Sequence, residues 1–278
     1  RLAQLFSVST DYLLGRETHG LMNYPFRTAA LAWLRGGDAS DFRRDMEEIR
    51  ENYPPAAFHS GLNILGTHDT PRLLTILGIP HLSYQLIHAD VSVDGRTHEV
   101  YLCASEDFKA KSESKTALDA YKELEALPDE SALDFCIRMG WEDYIYQMLI
   151  VDYLILNRDR HGANIEVLRN SRKKTIRLAP LFDHGLSLLC SCLDDAAAVA
   201  FDVMADKPCN NFIGSKSTWD NLRIIPKDKM PKLTPLHESD RQILMGGLDG
   251  VLSQTLQDKI WEMIWKRWCA YEDFCHSR

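Results

Sequence analysis

The stretch 156–189, LNRDRHGANIEVLRNSRKKTIRLAPLFDHGLSLL, places two carboxylates and an amide around two segments with the pattern of β-strands. NIEVLRN and TIRLAPLFD are rich in β-branched and apolar residues, and SRKK separates them, which predicts a strand, a turn and a strand. Asp159 comes before the first strand, Asn164 begins it, and Asp183 ends the second. Because a hairpin brings the chain back to the end where it began, we expect these three side chains to meet.

Three oxygen-bearing side chains at this spacing suit phosphoryl transfer, which uses Mg²⁺ to neutralise phosphate charge and a carboxylate to orient the attacking hydroxyl. In protein kinases the base Asp lies five residues before a metal-binding Asn, and a second metal-binding Asp follows a later strand. Here Asn164 follows Asp159 by five residues, and Asp183 stands before His184 and Gly185. In the alternative reading, Asp159 caps a turn and Asp183 caps a helix, which leaves the joint spacing without a cause.

The residues NRDRHGAN and LAPLFDHGLSL resemble the HipA-like kinases, and more distantly the phosphatidylinositol 3/4-kinase fold with its shared loop D-R-H-x-x-N. The resemblance implies a Ser/Thr protein kinase of a toxin–antitoxin type, with ATP and Mg²⁺ as cofactors and a protein as substrate. It implies that Asp159 is the catalytic base and that His161 braces the loop or touches phosphate. It also implies that Asn164 and Asp183 hold Mg²⁺ and thereby the nucleotide, and that Arg160 pairs with a neighbouring acid.

The rest of the segment 80–278 fits this reading. HLSYQLIHADV and RTHEVYLCA predict strands joined across SVDG, and NNFIGSKSTWDNL resembles a loop in Firmicute-type relatives of the family. ESKTALDAYKELEAL predicts a helix, WEDYIYQMLIVDYLIL predicts a largely buried helix, and LQDKIWEMIWKRWCAYEDF predicts a helix whose tryptophan stripe is core. We therefore expect an α+β fold: a mainly helical kinase-like C-lobe with a small β-hairpin remnant of an N-lobe, preceded by a helical N-terminal segment.

The upper lobe of a kinase is incomplete in the sequence. A kinase needs a lysine for the nucleotide phosphates, usually from a strand, and a loop that covers the nucleotide. The sequence has no G-x-G-x-x-G or Walker A pattern, and Lys109 and Lys111 follow the second predicted strand without lying inside it. The chain keeps the predicted metal and base residues and lacks much of the ATP clamp, which leaves an inactive kinase as one reading.

Two shorter segments precede the kinase-like one. In the segment 1–19, LAQLFSVSTDYLLG resembles the end of Cro/CI-type helix-turn-helix domains, without the helices that enter the major groove, so DNA binding is not expected from this chain alone. In the segment 20–79, MNYPFR and NILGTHDTPRLLT resemble the late barrel of neopullulanase-like enzymes of the alpha-amylase family. That resemblance implies that His68 and Asp69 bind sugar. Sixty residues fall short of the roughly 250 of a full barrel, and the second carboxylate that hydrolysis requires is missing.

Bulk composition sets the remaining expectations. The chain has 278 residues, a net charge of -8 and a pI near 5.7, which argues against dominant binding to nucleic acid or anionic membranes. No stretch approaches the roughly 18 apolar residues of a membrane span, and the N-terminus lacks a signal-peptide core. We expect a cytoplasmic protein with reduced thiols. The three unlike segments indicate a chimeric chain, which is either a gene fusion or an assembly artefact that joins three fragments; the alternative is a divergent replacement of the first 80 residues. A non-catalytic interaction protein is a third functional reading.

Overall fold

The structure is a computed structural model, and it describes residues 40, 41, 44, 69–93, 96–105, 107–192, 194–249 and 252–277. The chain divides into two compact units, 1–64 and 65–278. The described residues of the first unit are helical, and Arg44 pairs there with Asp41 at 2.8 Å. The predicted helix-turn-helix remnant and most of the amylase-like segment lie outside the described residues, so the predicted domain boundaries stay predictions.

The second unit mixes short sheets with helices, which confirms the α+β prediction. Its strands are β1 (Tyr84–Val93), β2 (Arg96–Ser105), β3 (Ser114–Ala117), β4 (Asp159–Arg160), β5 (Glu166–Asn170), β6 (Thr175–Leu178) and β7 (Asn210–Asn211). Its α-helices are α1 (Asp69–Leu77), α2 (Leu118–Glu125), α3 (Ala132–Arg138), α4 (Glu142–Leu154), α5 (Asp195–Ala200), α6 (Thr218–Arg223), α7 (Arg241–Met245) and α8 (Gln254–Ser277). None of the described helices is long and apolar enough to cross a bilayer.

The β1–β2 pair is the predicted hairpin. The two strands run antiparallel with Tyr84 opposite Ser105 and Val93 opposite Arg96, so two residues connect them. Two residues is the connection length that the Asp-Gly pair of SVDG predicts. The hairpin joins the rest of the unit through the linker 107–113, which leads into β3.

A second sheet, in the order β3-β5-β6, holds the residues that flank the predicted site. β5 and β6 form the predicted strand pair, with Val167 opposite Leu178. The predicted second strand is too long, because β6 ends at Leu178, five residues before Asp183. β3 corrects the helix expected over ESKTALDAYKELEAL: its first residues form a strand against β5, and helix begins only at Leu118. Pairing with the β5 edge offers backbone partners that a helix would not reach, and Thr116 is β-branched, which suits a strand. The spacing of Ala117, Tyr121 and Leu124 predicts one buried helix face, which is wrong in part, because Leu124 is exposed.

Helix α4 is largely buried in the main core, which confirms the prediction of a buried helix. From Ile145 to Leu154 every residue except Gln147 is buried, which is typical of a helix surrounded on all sides. α4 packs against α6, α8 and α3. The tryptophan stripe of α8 contributes Trp261 and Trp268 to the same core, so that the expected packing role is confirmed.

Helix α1 also belongs to this core. Leu73, Leu74 and Leu77 are almost fully buried in it. The Arg72 guanidinium donates to the Leu244 carbonyl at 2.9 Å, at the end of α7. Gly78 ends the helix with a φ of 73°, a left-handed conformation that glycine adopts without steric cost.

Candidate active site

The loop that carries the predicted base begins where α4 ends. Leu156 turns the chain with a φ of 51°, a left-handed conformation that is costly for a branched side chain. Asn157 then fixes the turn, because its backbone N–H and its amide both donate to Asp152 of α4, at 2.8 and 2.9 Å. The Asn157 amide oxygen accepts from the Asp159 backbone N–H at 3.2 Å. The direction in which Asp159 leaves the helix is therefore set by buried hydrogen bonds.

Arg160 contacts helix α4, the loop residue Asn164 and the residues on both sides of Asp183. Its side chain is 1% exposed and pairs with the equally buried Asp152 carboxylate, with Nη2 to Oδ1 at 2.9 Å. Nη1 donates to the carbonyls of Asn164 at 3.3 Å and Phe182 at 2.8 Å. Nη2 also contacts His184 Nδ1 at 3.0 Å. One guanidinium thus holds the α4 helix, the loop residue Asn164 and the segment on both sides of Asp183, and the predicted pairing of Arg160 with an acid is confirmed.

Asp159 lies in the two-residue strand β4, which pairs in parallel with β7. The Asn210 amide nitrogen donates to Asp159 Oδ1 at 3.1 Å, and His161 Nε2 lies 3.7 Å from Oδ2. The Asp159 residue is 9% exposed, so the carboxylate is aimed by its partners and still has a solvent-facing edge. The pairing gives the loop NNFIGSKSTWDNL a structural role: it supplies the donor that fixes the predicted base.

Asn164 and Asp183 are the predicted metal ligands. The Asn164 amide nitrogen donates to the Asp159 carbonyl at 3.0 Å, which leaves the amide oxygen as the atom available to a cation. Asp183 has a φ of 54°, a strained conformation of the kind that collects at functional sites. Burial raises the pKa of the Asp183 carboxyl, and the nearby Arg160 opposes that shift. Mg²⁺ takes few protein ligands and keeps several waters. The Asn164 amide oxygen and the Asp183 carboxylate, whose negative charge Arg160 offsets only in part, fit such a site.

His184, which follows Asp183, is a neutral structural group. Burial, and then Arg160, hold the pKa of its imidazole well below the usual range. Since the guanidinium can only donate, Nδ1 accepts and the ring proton sits on Nε2. That Nε2 is buried and has no hydrogen-bond partner among the described residues. The Ser187 hydroxyl donates to the His184 carbonyl, which fixes the turn after Asp183.

Gly162 lies where the predicted catalytic loop passes close to helix α2. A Cβ at this position would lie 2.5 Å from the Cβ of Asp119, in the first turn of α2. The loop therefore approaches α2 too closely for any side chain. Sequence reasoning also missed Asp152 and Asn210, whose partners are 8 and 51 residues away along the chain.

The structure describes only one of the two predicted sugar-binding residues of the amylase-like segment. His68 lies outside the described residues. Asp69 is the first residue of helix α1. The alternative to sugar binding is that His68 and Asp69 form a polar turn before TPRLLT; at Asp69 this alternative is wrong, because the chain is already helical there.

Comparison with solved structures shows a kinase-like fold. A proinflammatory kinase from Helicobacter pylori, CtkA, superposes with a TM-score of 0.58 and 17% sequence identity, covering 82% of this chain and 88% of that one. At this level of identity the likeness concerns the fold alone. It confirms the predicted kinase-like architecture, whereas no family model matches the chain.

Comparison with curated sequences shows partial likeness to glucan-degrading enzymes. A cyclomaltodextrinase from Geobacillus thermopakistaniensis strain MAS1 is 35% identical over 79 residues, which is 28% of this chain and 13% of that enzyme. An amylopullulanase from Thermoanaerobacterium thermosulfurigenes is 37% identical over 78 residues, 24% of this chain and 4% of the enzyme. The chain thus spans a small part of these relatives, which is consistent with the predicted amylase-like fragment.

Proposed function

We propose that the chain is a phosphotransferase that uses Mg-ATP, a Ser/Thr protein kinase of the HipA-like type. The observation that carries this proposal is the contact of one Arg160 nitrogen with both the Asn164 and the Phe182 carbonyls. That contact supports the convergence of the loop residue Asn164 with Asp183, which follows Phe182. The kinase-like fold adds support at the level of architecture.

In the proposed mechanism Asp159 orients the acceptor hydroxyl and takes its proton. Asn210 aligns one carboxylate oxygen, which leaves the other for the substrate. Asn164 and Asp183 would hold Mg²⁺, which neutralises phosphate charge when bound. His161, with its side chain 30% exposed beside Asp159, is placed to brace the loop or to touch a phosphate. A protein hydroxyl is the proposed acceptor.

The test separates binding from chemistry. Mg-ATP binding is measured by calorimetry and autophosphorylation by phosphate incorporation, in the wild type and in Asp159→Ala, Asp183→Ala and Asp143→Ala. We expect Asp159→Ala to bind ATP and to lose phosphate transfer by about 10²–10⁴-fold. Asp183→Ala is expected to lose Mg²⁺-dependent binding. Asp143 is exposed at the far end of α4 and serves as the matched control. Equal activity in all four proteins would refute the site assignment.

Hydrolysis of α-glucans is a second candidate, favoured by the matches to cyclomaltodextrinase and amylopullulanase. It would centre on His68 and Asp69. Because glycoside hydrolysis requires two carboxylates, we expect no cleavage of maltooligosaccharides by the chain. Cleavage that Asp69→Asn abolishes would establish this function. Absence of ligand binding at both sites would instead favour a non-catalytic interaction protein.

A further inference from the structure

One face of the β3-β5-β6 sheet is turned toward the linker 107–113. Val167 of β5 packs in the main core, whereas its neighbour Leu168 is fully buried outside that core. Leu168 lies opposite Arg177 of β6, and the Arg177 guanidinium reaches the linker, pairing with Glu113 at 2.9 Å. Because successive strand residues alternate between faces, the face that carries Leu168 is the one the linker covers.

Lys115 and Glu166 lie on this same face. Lys115 is opposite Leu168, and Glu166 is two residues before Leu168 on β5. The Lys115 ammonium is 3.4 Å from Glu166 Oε1, with the two side chains 35% and 5% exposed. Glu166 Oε2 is buried and has no hydrogen-bond partner among the described residues. A half-exposed strand lysine is therefore anchored by a buried carboxylate, two residues along the chain from Asn164.

We propose that Lys115 contacts the phosphates of the bound nucleotide and supplies the cation that the incomplete upper lobe lacks. The inference rests on the proposed function. Phosphoryl transfer requires a positive group at the nucleotide phosphates besides the metal, and neither Lys109 nor Lys111 lies in a strand. An ammonium has three donors, and the long contact with Glu166 uses one at most. The Lys115 side chain lies on the linker face of the sheet, paired with Glu166, which follows the predicted metal ligand Asn164 by two residues.

An aromatic contact also joins the linker 107–113 to the segment that carries Asp183. Phe108 of the linker stacks on Phe182 with ring centroids 5.5 Å apart, and Phe182 precedes Asp183. The linker thus touches both the sheet face of Lys115 and the segment of the predicted metal-binding carboxylate. A nucleotide whose phosphates reach Asn164 and Asp183 would lie against this face.

The experiment compares ATP with adenosine, because only ATP carries phosphates. Calorimetry with Mg²⁺ present is run on the wild type, Lys115→Met, Lys115→Arg and the control Lys111→Met, an exposed linker lysine. We expect Lys115→Met to weaken ATP binding roughly ten- to a hundredfold, the size of a lost hydrogen bond to a charged group, and to leave adenosine binding unchanged. Lys115→Arg keeps the charge and is expected to restore ATP binding, and Lys111→Met to match the wild type.

The outcomes separate the inference from the function beneath it. ATP binding that Lys115→Met leaves intact overturns the inference and leaves the proposed function standing. Equal weakening of ATP and adenosine, with a lower melting temperature, also overturns it, since it marks the Lys115–Glu166 pair as structural. A wild type that binds no ATP overturns both.

Discussion

The buried pair Arg160–Asp152 gives a quantitative prediction. Arg160→Met keeps an apolar stem of similar length and leaves the Asp152 carboxylate buried, 2% exposed, without its cation. Removal of one partner from a buried ion pair costs about 3–5 kcal/mol, because the remaining charge is not compensated. For a unit of this size that loss lowers the melting temperature by roughly 6–20 °C. Thermal unfolding followed by circular dichroism measures the shift directly.

A double variant identifies the cause. Asp152→Asn removes the charge and keeps an oxygen that can accept from Asn157, so the combination Asp152→Asn/Arg160→Met is expected to recover much of the stability that Arg160→Met loses. Mg-ATP binding is not expected to recover, because the donors to the Asn164 and Phe182 carbonyls stay absent. Arg223→Met, in an exposed pair with Asp220, is the control. A shift in Arg160→Met no larger than in this control, or a double variant no more stable than the single one, would refute the reasoning.

Three further predictions concern single contacts. Gly162→Ala is expected to destabilise the unit by about 1–3 kcal/mol through the clash with Asp119, and Asp119→Gly to relieve part of that loss in chemical denaturation. Asn210→Ala is expected to lower the rate of phosphate transfer without weakening ATP binding, since it removes the donor that aims Asp159; a steady-state analysis in which only the ATP affinity changes would contradict this. Burial raises the pKa of the Cys136 thiol to about 12, so mass spectrometry after alkylation at pH 8 should find Cys136 modified only in unfolded protein.

The sequence alone was enough to predict features that depend on residues close together in the chain. The strand pair NIEVLRN and TIRLAPLFD shows in its residue types, and the five-residue separation of Asp159 and Asn164 is a property of one loop. Asp152 and Asn210 could not be found in this way, because each acts through a partner that only the folded chain brings close. β3 was missed for a related reason: its residues favour helix weakly, and the edge of β5 decides their conformation.

Helix α1 packs with the segment that leads to Asp183. After Gly78 the chain pairs with the segment that leads to Asp183: the Leu82 N–H donates to the Leu181 carbonyl at 2.8 Å, and the Leu181 N–H donates to Pro80 at 3.3 Å. These backbone contacts and the buried leucines of α1 belong to one core. Since buried backbone groups and buried leucines must be satisfied together, α1 is an integral part of the compact unit 65–278, although part of its sequence, DTPRLLT, belongs to the amylase-like resemblance.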